Sequence, residues 1–317
     1  MLKTGIYGAD TPAAGELIRL LVNHPDVDIT QLYAPTLKGE NVSTRHHGLI
    51  GERPLKFTDR FDAGTLDVLF LCRADNTTAR ILSTEKELQQ RGEELPEGRK
   101  RPLRIIDLTG LHIGDYEESG LEYGLSEINR KPLVRGARRS VVPTPQASIA
   151  LVSLYPIATH LLLNGDLHIR FTLPAGASDE WDTMAACHDI TRQLSKIQSS
   201  YGGNVEGSVE KGDQSRSLRM VTEIPCSLRL EDVTSLYDSI YDDHNFTWII
   251  HTTPDTKEVE GTQKCIISLT KPDSSTLRIE SVADCRMRGG AGEAIHQMNL
   301  LCGLHERTGL RVKSSAF

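Results

Sequence analysis

The stretch L-K-T-G-I-Y-G-A-D-T-P-A-A-G-E-L-I-R-L-L-V-N at Leu2–Asn23, followed by V-D-I-T-Q-L-Y at Val27–Tyr33, decides how the chain is read. Leu2–Tyr7 is a short β run, and Gly8 to Gly15 is a turn. Glu16–Asn23 is helical, with apolar residues at Leu17, Leu20 and Leu21. Pro12 suits a first helical turn, where a missing N–H does no harm. Val27–Tyr33 alternates and predicts a second strand, so the whole is a βαβ unit of the length expected for dinucleotide binding. A phosphate-binding turn uses glycines so that backbone N–H groups approach the pyrophosphate closely. Gly5, Gly8 and Gly15 are present, but Thr11 and Ala14 stand where further glycines would help. Two readings stay open. In one, Gly8, Ala9, Asp10, Thr11 and Pro12, with Ala34 after the second strand, hold a cofactor; in the other, the same turn holds none.

Outward from this unit, Val68–Cys72 (V-L-F-L-C) predicts a buried strand and Ala79–Arg91 a helix. Arg104–Leu108 is a further strand, and Tyr123–Arg130 a loop with a short helix. His46 and His47 lie in a polar loop and read as solvated residues, since no third metal ligand is near and no metal site is expected. Glu85–Arg101 alternates in charge and reads as an exposed helix end plus loop. After Ser148 the pattern changes. Leu167–Leu173, Arg219–Leu228, Thr247–Thr252 and Lys264–Leu269 predict strands, with helices at Thr183–Ser199 and Glu231–Tyr241. Strands and helices without strict alternation predict an α+β domain with a largely antiparallel sheet. Gly289–Leu304 is a glycine turn entering a helix whose small residues suit close packing on the first domain. The expected division is 1–145 plus 288–317 for an α/β Rossmann-like domain and 146–287 for the α+β domain.

At 317 residues the chain has room for two domains, and its 38% apolar and 25% charged fractions are those of a globular protein. No apolar run approaches the roughly 20 residues that span a bilayer. The chain enters a strand directly after Met1, which leaves no room for a signal peptide. A net charge of −7 argues against a nucleic-acid partner. Six scattered cysteines with no C-x-x-C pair read as reduced thiols, and the expected location is cytoplasmic.

Ser140–Ser148, S-V-V-P-T-P-Q-A-S, is a strand end turning into the apolar run Ile149–Leu154. Ligands in open α/β sheets bind at such carboxyl ends, so a small-molecule ligand is expected in the cleft between domains, and a covalent enzyme would carry its nucleophile here.

Several stretches together resemble the N-acetyl-γ-glutamyl-phosphate reductase family of arginine biosynthesis. They are G-I-Y-G…G-E-L-I-R-L-L-V-N-H-P from Gly5 to Pro25, I-I-D-L at Ile105–Leu108, Y-G-L-S-E-I-N-R at Tyr123–Arg130, G-G-A-G-E-A-I-H-Q-M-N-L at Gly289–Leu300 and G-L-R-V-K-S-S-A-F at Gly309–Phe317. The match runs the length of the chain in consistent order. The resemblance implies a glyceraldehyde-3-phosphate-dehydrogenase-like second domain, NADP as cofactor and a homo-oligomer. It also places Gly289, Gly290, Gly292 and Asn299 beside the cofactor.

The family's reaction forms a thioester on a cysteine thiolate, which hydride from NADPH reduces to the aldehyde; thiolate serves because it both attacks and leaves. A histidine supplies acid–base help. The family's N-P-G-C-Y-A-T matches Val142–Ser148 here, so Pro145 stands at the cysteine position, with neither nucleophile nor N–H. Thr144 and Ser148 offer hydroxyls and Gln146 a hydrogen bond, but no general base is evident beside them. The family's histidine position falls on Ala186, with His188 two places late. Cys187 and His188, adjacent on a helix, lie about 100° apart around its axis and do not face each other. The arginine-bearing stretch is replaced by Thr109–Ile113, the loop at Leu173–Ser178 is shortened, and Ala34-Pro35-Thr36 replace the serine-type residues that greet a 2′-phosphate. Three readings follow: a silent or repurposed homologue, a reductase with a relocated nucleophile at Cys72, and a non-covalent NAD(P)-dependent oxidoreductase on the same fold.

Overall fold

A computed structural model of the chain describes residues 1–91, 102–175, 182–213 and 216–314. It divides into two compact units, one formed by Met1–Pro143 with Gly290–Arg311, the other by Thr144–Gly289 with the residues from Val312 on.

The first unit opens with strand β1 (Leu2–Tyr7), helix α1 (Pro12–Leu21) and strand β2 (Val27–Tyr33). Helix α1 starts at Pro12 rather than Glu16 because Thr11 caps it: its Oγ1 accepts from Ala14 N at 3.3 Å, and Pro12 needs no N–H partner. Ala14, Leu17, Ile18, Leu20 and Leu21 form its buried stripe. Then come β3 (Val68–Leu71), α2 (Asn76–Arg91), β4 (Arg104–Asp107), β5 (Glu122–Tyr123), α3 (Ser126–Val134) and β6 (Arg139–Val141). Helix α2 begins earlier than the apolar pattern predicts because Asp75 Oδ1 accepts from the N–H groups of Thr77 and Thr78. The charged stretch expected at Glu85–Arg101 lies, from residue 92 on, outside the described residues. The six strands pair in parallel in the order β2-β1-β3-β4-β6-β5. Every residue of β3 is buried, as expected for a sheet covered on both faces.

The second unit starts with α4 (Pro145–Thr159) and continues through β7 (Leu167–Leu173), α5 (Thr183–Ile197), β8 (Val205–Lys211) and β9 (Ser217–Pro225). It ends with α6 (Leu230–Tyr241), β10 (Thr247–Ile250), β11 (Cys265–Asp273) and β12 (Thr276–Asp284). The sheet order is β10-β11-β12-β9-β7-β8, with antiparallel pairing for β11/β12, β12/β9 and β9/β7 and parallel pairing at the two edges. The expected largely antiparallel α+β architecture is present. Helix α4 is apolar around most of its circumference and packs on α5, α6, β9 and β12 as a buried central helix. Tyr237 and Tyr241 of α6 donate their hydroxyls to the carbonyls of Ser153 and Val152 on α4.

Two strands carry no clear signal in the sequence. Edge strand β8 is exposed along nearly its whole length and has no apolar alternation. In β12 the inward position Ser281 interrupts the alternation; its hydroxyl meets that of Ser153 at 2.6 Å, which satisfies two buried polar groups at once.

Helix α7 (Ala291–Leu301) returns to the first unit and packs against α1, α3 and β4, with all of its residues buried. Gln297 accepts from Ser140 Oγ at 2.7 Å and donates to Gly124 O at 2.7 Å, which ties α7 to the β6 side of the sheet. Among the described residues no helix is long and apolar enough to cross a membrane.

Candidate functional site

The carboxyl ends of five strands of the first sheet lie in one row. Tyr33, Tyr7, Leu71, Asp107 and Val141 are successive register partners across β2, β1, β3, β4 and β6. Open α/β sheets bind ligands beyond this edge.

After Tyr7 the chain turns through Gly8, whose φ of +80° favours glycine, and a Cβ there would come within 2.6 Å of Arg73 Cβ. Gly8 and Ala9 both donate their N–H to Tyr33 O, at 3.1 and 2.9 Å, and Thr11 N returns to Gly8 O. These bonds spend the N–H groups of Gly8, Ala9 and Thr11 inside the turn and leave the start of α1, Pro12 and Ala13, exposed. Thr11, which reads as a missing glycine, is the helix cap. Ala34 is buried and donates its N–H to Thr58 O at 3.0 Å.

Three features of this turn escape the sequence reading. His46 is no solvated loop residue: its Nε2 lies 2.7 Å from Ala9 O, and its ring rests where a Cβ on Gly15 would stand. Asp10 is gripped by Arg73 Nη2, which reaches its two carboxylate oxygens at 2.8 and 2.6 Å. Arg45 Nε donates to Asp10 O at 3.0 Å. A carboxylate beside a helix N-terminus opposes an anionic ligand, and the guanidinium neutralises it. The partners lie 63 residues apart, so only the fold reveals the pair.

Cys72 follows β3 and is half-buried. Burial, with the Asp107 carboxyl beside it, pushes its thiol well above the ordinary range. A nucleophilic cysteine needs the opposite shift.

The C-terminal glycine stretch divides. Gly289 belongs to the second unit, has φ +67° and lies against Pro145, so that a Cβ would stand 2.5 Å from both Pro145 Cα and Pro145 N. Its glycine is explained by that approach. Gly290 and Gly292 belong to the start of α7. Asn299 does not fit the cofactor role expected of it. It is fully buried, both Nδ2 hydrogens go to the carbonyls of Glu306 and Thr308 at 3.1 and 2.8 Å, and Oδ1 meets His24 Nε2 at 3.1 Å. It is a structural clamp on the C-terminal loop.

In the second unit Thr144 caps α4 through Ala147 N, at 3.2 Å, and Pro145 takes the first helical position. Gln146 is buried and donates to Thr183 Oγ1 at 2.8 Å. Ser148 is fully buried, and its hydroxyl finds no partner among the described residues. On α5, Ala186 is buried and offers no acid–base group. His188 is exposed while Cys187 is buried, so the two face apart as helix geometry requires. Burial raises the Cys187 thiol too. Of the shortened loop at Leu173–Ser178, residues from 176 on lie outside the described residues.

A model of the semialdehyde dehydrogenase NAD binding domain matches residues 3–135. The N-acetyl-gamma-glutamyl-phosphate reductases of Parabacteroides distasonis, Phocaeicola vulgatus and Bacteroides thetaiotaomicron are 35%, 32% and 30% identical to it, over all of this chain and all of theirs. Solved structures with the same fold include aspartate semialdehyde dehydrogenase II of Vibrio cholerae complexed with ASA (TM-score 0.70, 12% identity, 96% of this chain and 98% of that one). Another is aspartate semialdehyde dehydrogenase with NADP from Candida albicans (TM-score 0.70, 13% identity, 95% and 98%). Full-length similarity at this level to several reductases is decisive, and the chain belongs to the N-acetyl-gamma-glutamyl-phosphate reductase family.

Proposed function

We propose that this family member retains a dinucleotide site for NADP and has lost the thioester-forming reduction of its relatives. The observation that carries the loss is the start of α4, where Pro145 occupies the first helical position and lies against Gly289. Cys72, Cys187 and Cys285 do not replace the missing thiol, because burial raises all three, Cys285 to about 12. Serine and threonine hydroxyls at Thr144 and Ser148 are no substitute: one serves as a helix cap, and an oxyester is a poor hydride acceptor.

The residues of the first unit fit the cofactor. The N–H groups of Gly8, Ala9 and Thr11 are spent within the fold, so the anion meets the exposed first residues Pro12 and Ala13 of a ten-residue helix, with Asp10 neutralised by Arg73 and Arg45 close by. Asp107 leaves an unpartnered buried oxygen on the same strand edge. Bound NADP would supply or accept a hydride. This chain's own part is to hold the phosphates at the exposed start of α1 and to keep Asp10 from repelling them. We infer a homo-oligomer as well, an inference that rests on the family resemblance.

Purified protein supplied with NADPH and N-acetyl-γ-glutamyl phosphate is expected to oxidise no cofactor above background, while calorimetry records NADP⁺ binding. Measurable turnover defeats the loss of catalysis, and an absent binding isotherm defeats the cofactor site.

A further inference from the structure

Asp107 ends β4 fully buried. Its Oδ1 accepts from Thr109 N at 2.8 Å and Thr109 Oγ1 at 2.6 Å. Its Oδ2 is buried with no hydrogen-bond partner among the described residues. Buried polar atoms are nearly always paired, so an orphan of this kind calls for a partner. Because Oδ1 is the acceptor of both donors, a proton on this carboxyl sits on Oδ2. Burial raises the carboxyl's pKa, with the Thr109 bonds and the charge of His112 opposing the rise. The titratable groups facing it are the Cys72 thiol at the end of β3 and His112 on the loop after β4.

The position matters as much as the proton. Asp107 stands two strands from β1 in the row at the carboxyl edge, on the side away from β2. A dinucleotide whose pyrophosphate sits at the β1 turn lays one nucleoside toward β2 and the other over the opposite half of the sheet. Half-buried Cys72, Leu108 and Thr109 border Asp107 there.

We propose that Asp107 Oδ2 donates a hydrogen bond to a carboxamide carbonyl oxygen, that of the nicotinamide ring, and so positions the cofactor's reactive end; this rests on the dinucleotide reading above. A carboxyl in this role is a donor, and asparagine replaces it with a donor of the same shape that does not titrate.

NADP⁺ is titrated calorimetrically into wild type, Asp107→Asn and Asp107→Ala across a range from about pH 5 to about pH 9. Wild-type affinity is expected to fall as pH rises and Oδ2 loses its proton. D107N stays flat, within about threefold of the wild-type acid limit, and D107A is weaker by about tenfold throughout. Equal losses in D107N and D107A, unchanged binding in D107A, or a wild-type pH profile that D107N shares would overturn the assignment. If D107A does not fold, the D107N pH comparison decides alone. Nicotinamide by itself, observed by ligand NMR, separates the two readings. Nicotinamide binding that D107A abolishes, without NADP⁺ binding, keeps the Asp107 role and removes the dinucleotide site. NADP⁺ binding indifferent to D107A does the reverse. If neither probe binds, or if a crystal structure shows only a fixed water on Oδ2, the assignment fails.

Discussion

Helices α1 and α4 begin with the same four-residue solution, Thr11-Pro12-Ala13-Ala14 and Thr144-Pro145-Gln146-Ala147. In each, threonine accepts from the N–H three residues on, at 3.3 and 3.2 Å, and proline fills the first helical position. Their surroundings differ. Pro12 and Ala13 are exposed beside a turn held by Gly8, His46 and the Asp10–Arg73 pair. At α4, Gly289 lies against the proline backbone, and Gln146 and Ala147 are buried. A helix start capable of receiving an anion is therefore not defined by its cap residues. What decides is whether the first turn is left open and its charges are balanced.

The largest expected effect that tests this contrast is on stability. Gly289→Ala imposes a left-handed conformation on a residue with a Cβ and drives that Cβ into the Pro145 backbone, which cannot swing aside. Chemical denaturation should record a loss of at least about 2 kcal/mol. A loss near zero means the α4 start is not closed. Next comes reactivity. In Pro145→Cys the new thiol sits at a helix N-terminus, and iodoacetamide should modify it about tenfold faster than any native thiol. A rate no faster than wild type removes the analogy with a nucleophile position. Arg73→Leu should weaken NADP⁺ binding by about tenfold, because the Asp10 carboxylate is then uncompensated beside the α1 N-terminus. Unchanged affinity shows that the pair does not govern the turn. Smallest are the caps themselves: Thr11→Ala and Thr144→Ala should each cost about 1 kcal/mol. Only the first should also weaken NADP⁺ binding; a parallel loss in the second breaks the contrast.

The sequence carries the architecture wherever apolar period and turn residues agree, as in Leu2–Tyr33, the V-L-F-L strand and the glycine entry to α7. It is silent where long-range pairing substitutes for local pattern. Strand β8 has no inward face to alternate, and Ser281 sits in the core only because Ser153 meets it. The same divide holds for the site. Pro145 and Ala186, which the resemblance puts at the family's cysteine and histidine positions, are read from spacing. His46, Arg73 and Asp107 are not, since the partners of the first two arrive from distant segments and Asp107 Oδ2 has none among the described residues. Asn299 misleads for the opposite reason: a family motif residue here spends its amide on its own C-terminal loop.

The return of α7 to the first unit has a consequence for synthesis. The Rossmann-like half lacks a helix that covers α1, α3 and β4 until Ala291–Leu301 has left the ribosome, after Thr144–Gly289. The Thr144–Gly289 segment of the second unit is complete before α7 is made, while the nascent N-terminal sheet waits with apolar surface uncovered. A polypeptide ending at Pro143 is consequently an unfinished molecule rather than a miniature nucleotide-binding protein, and chaperones have a defined interval in which to meet it.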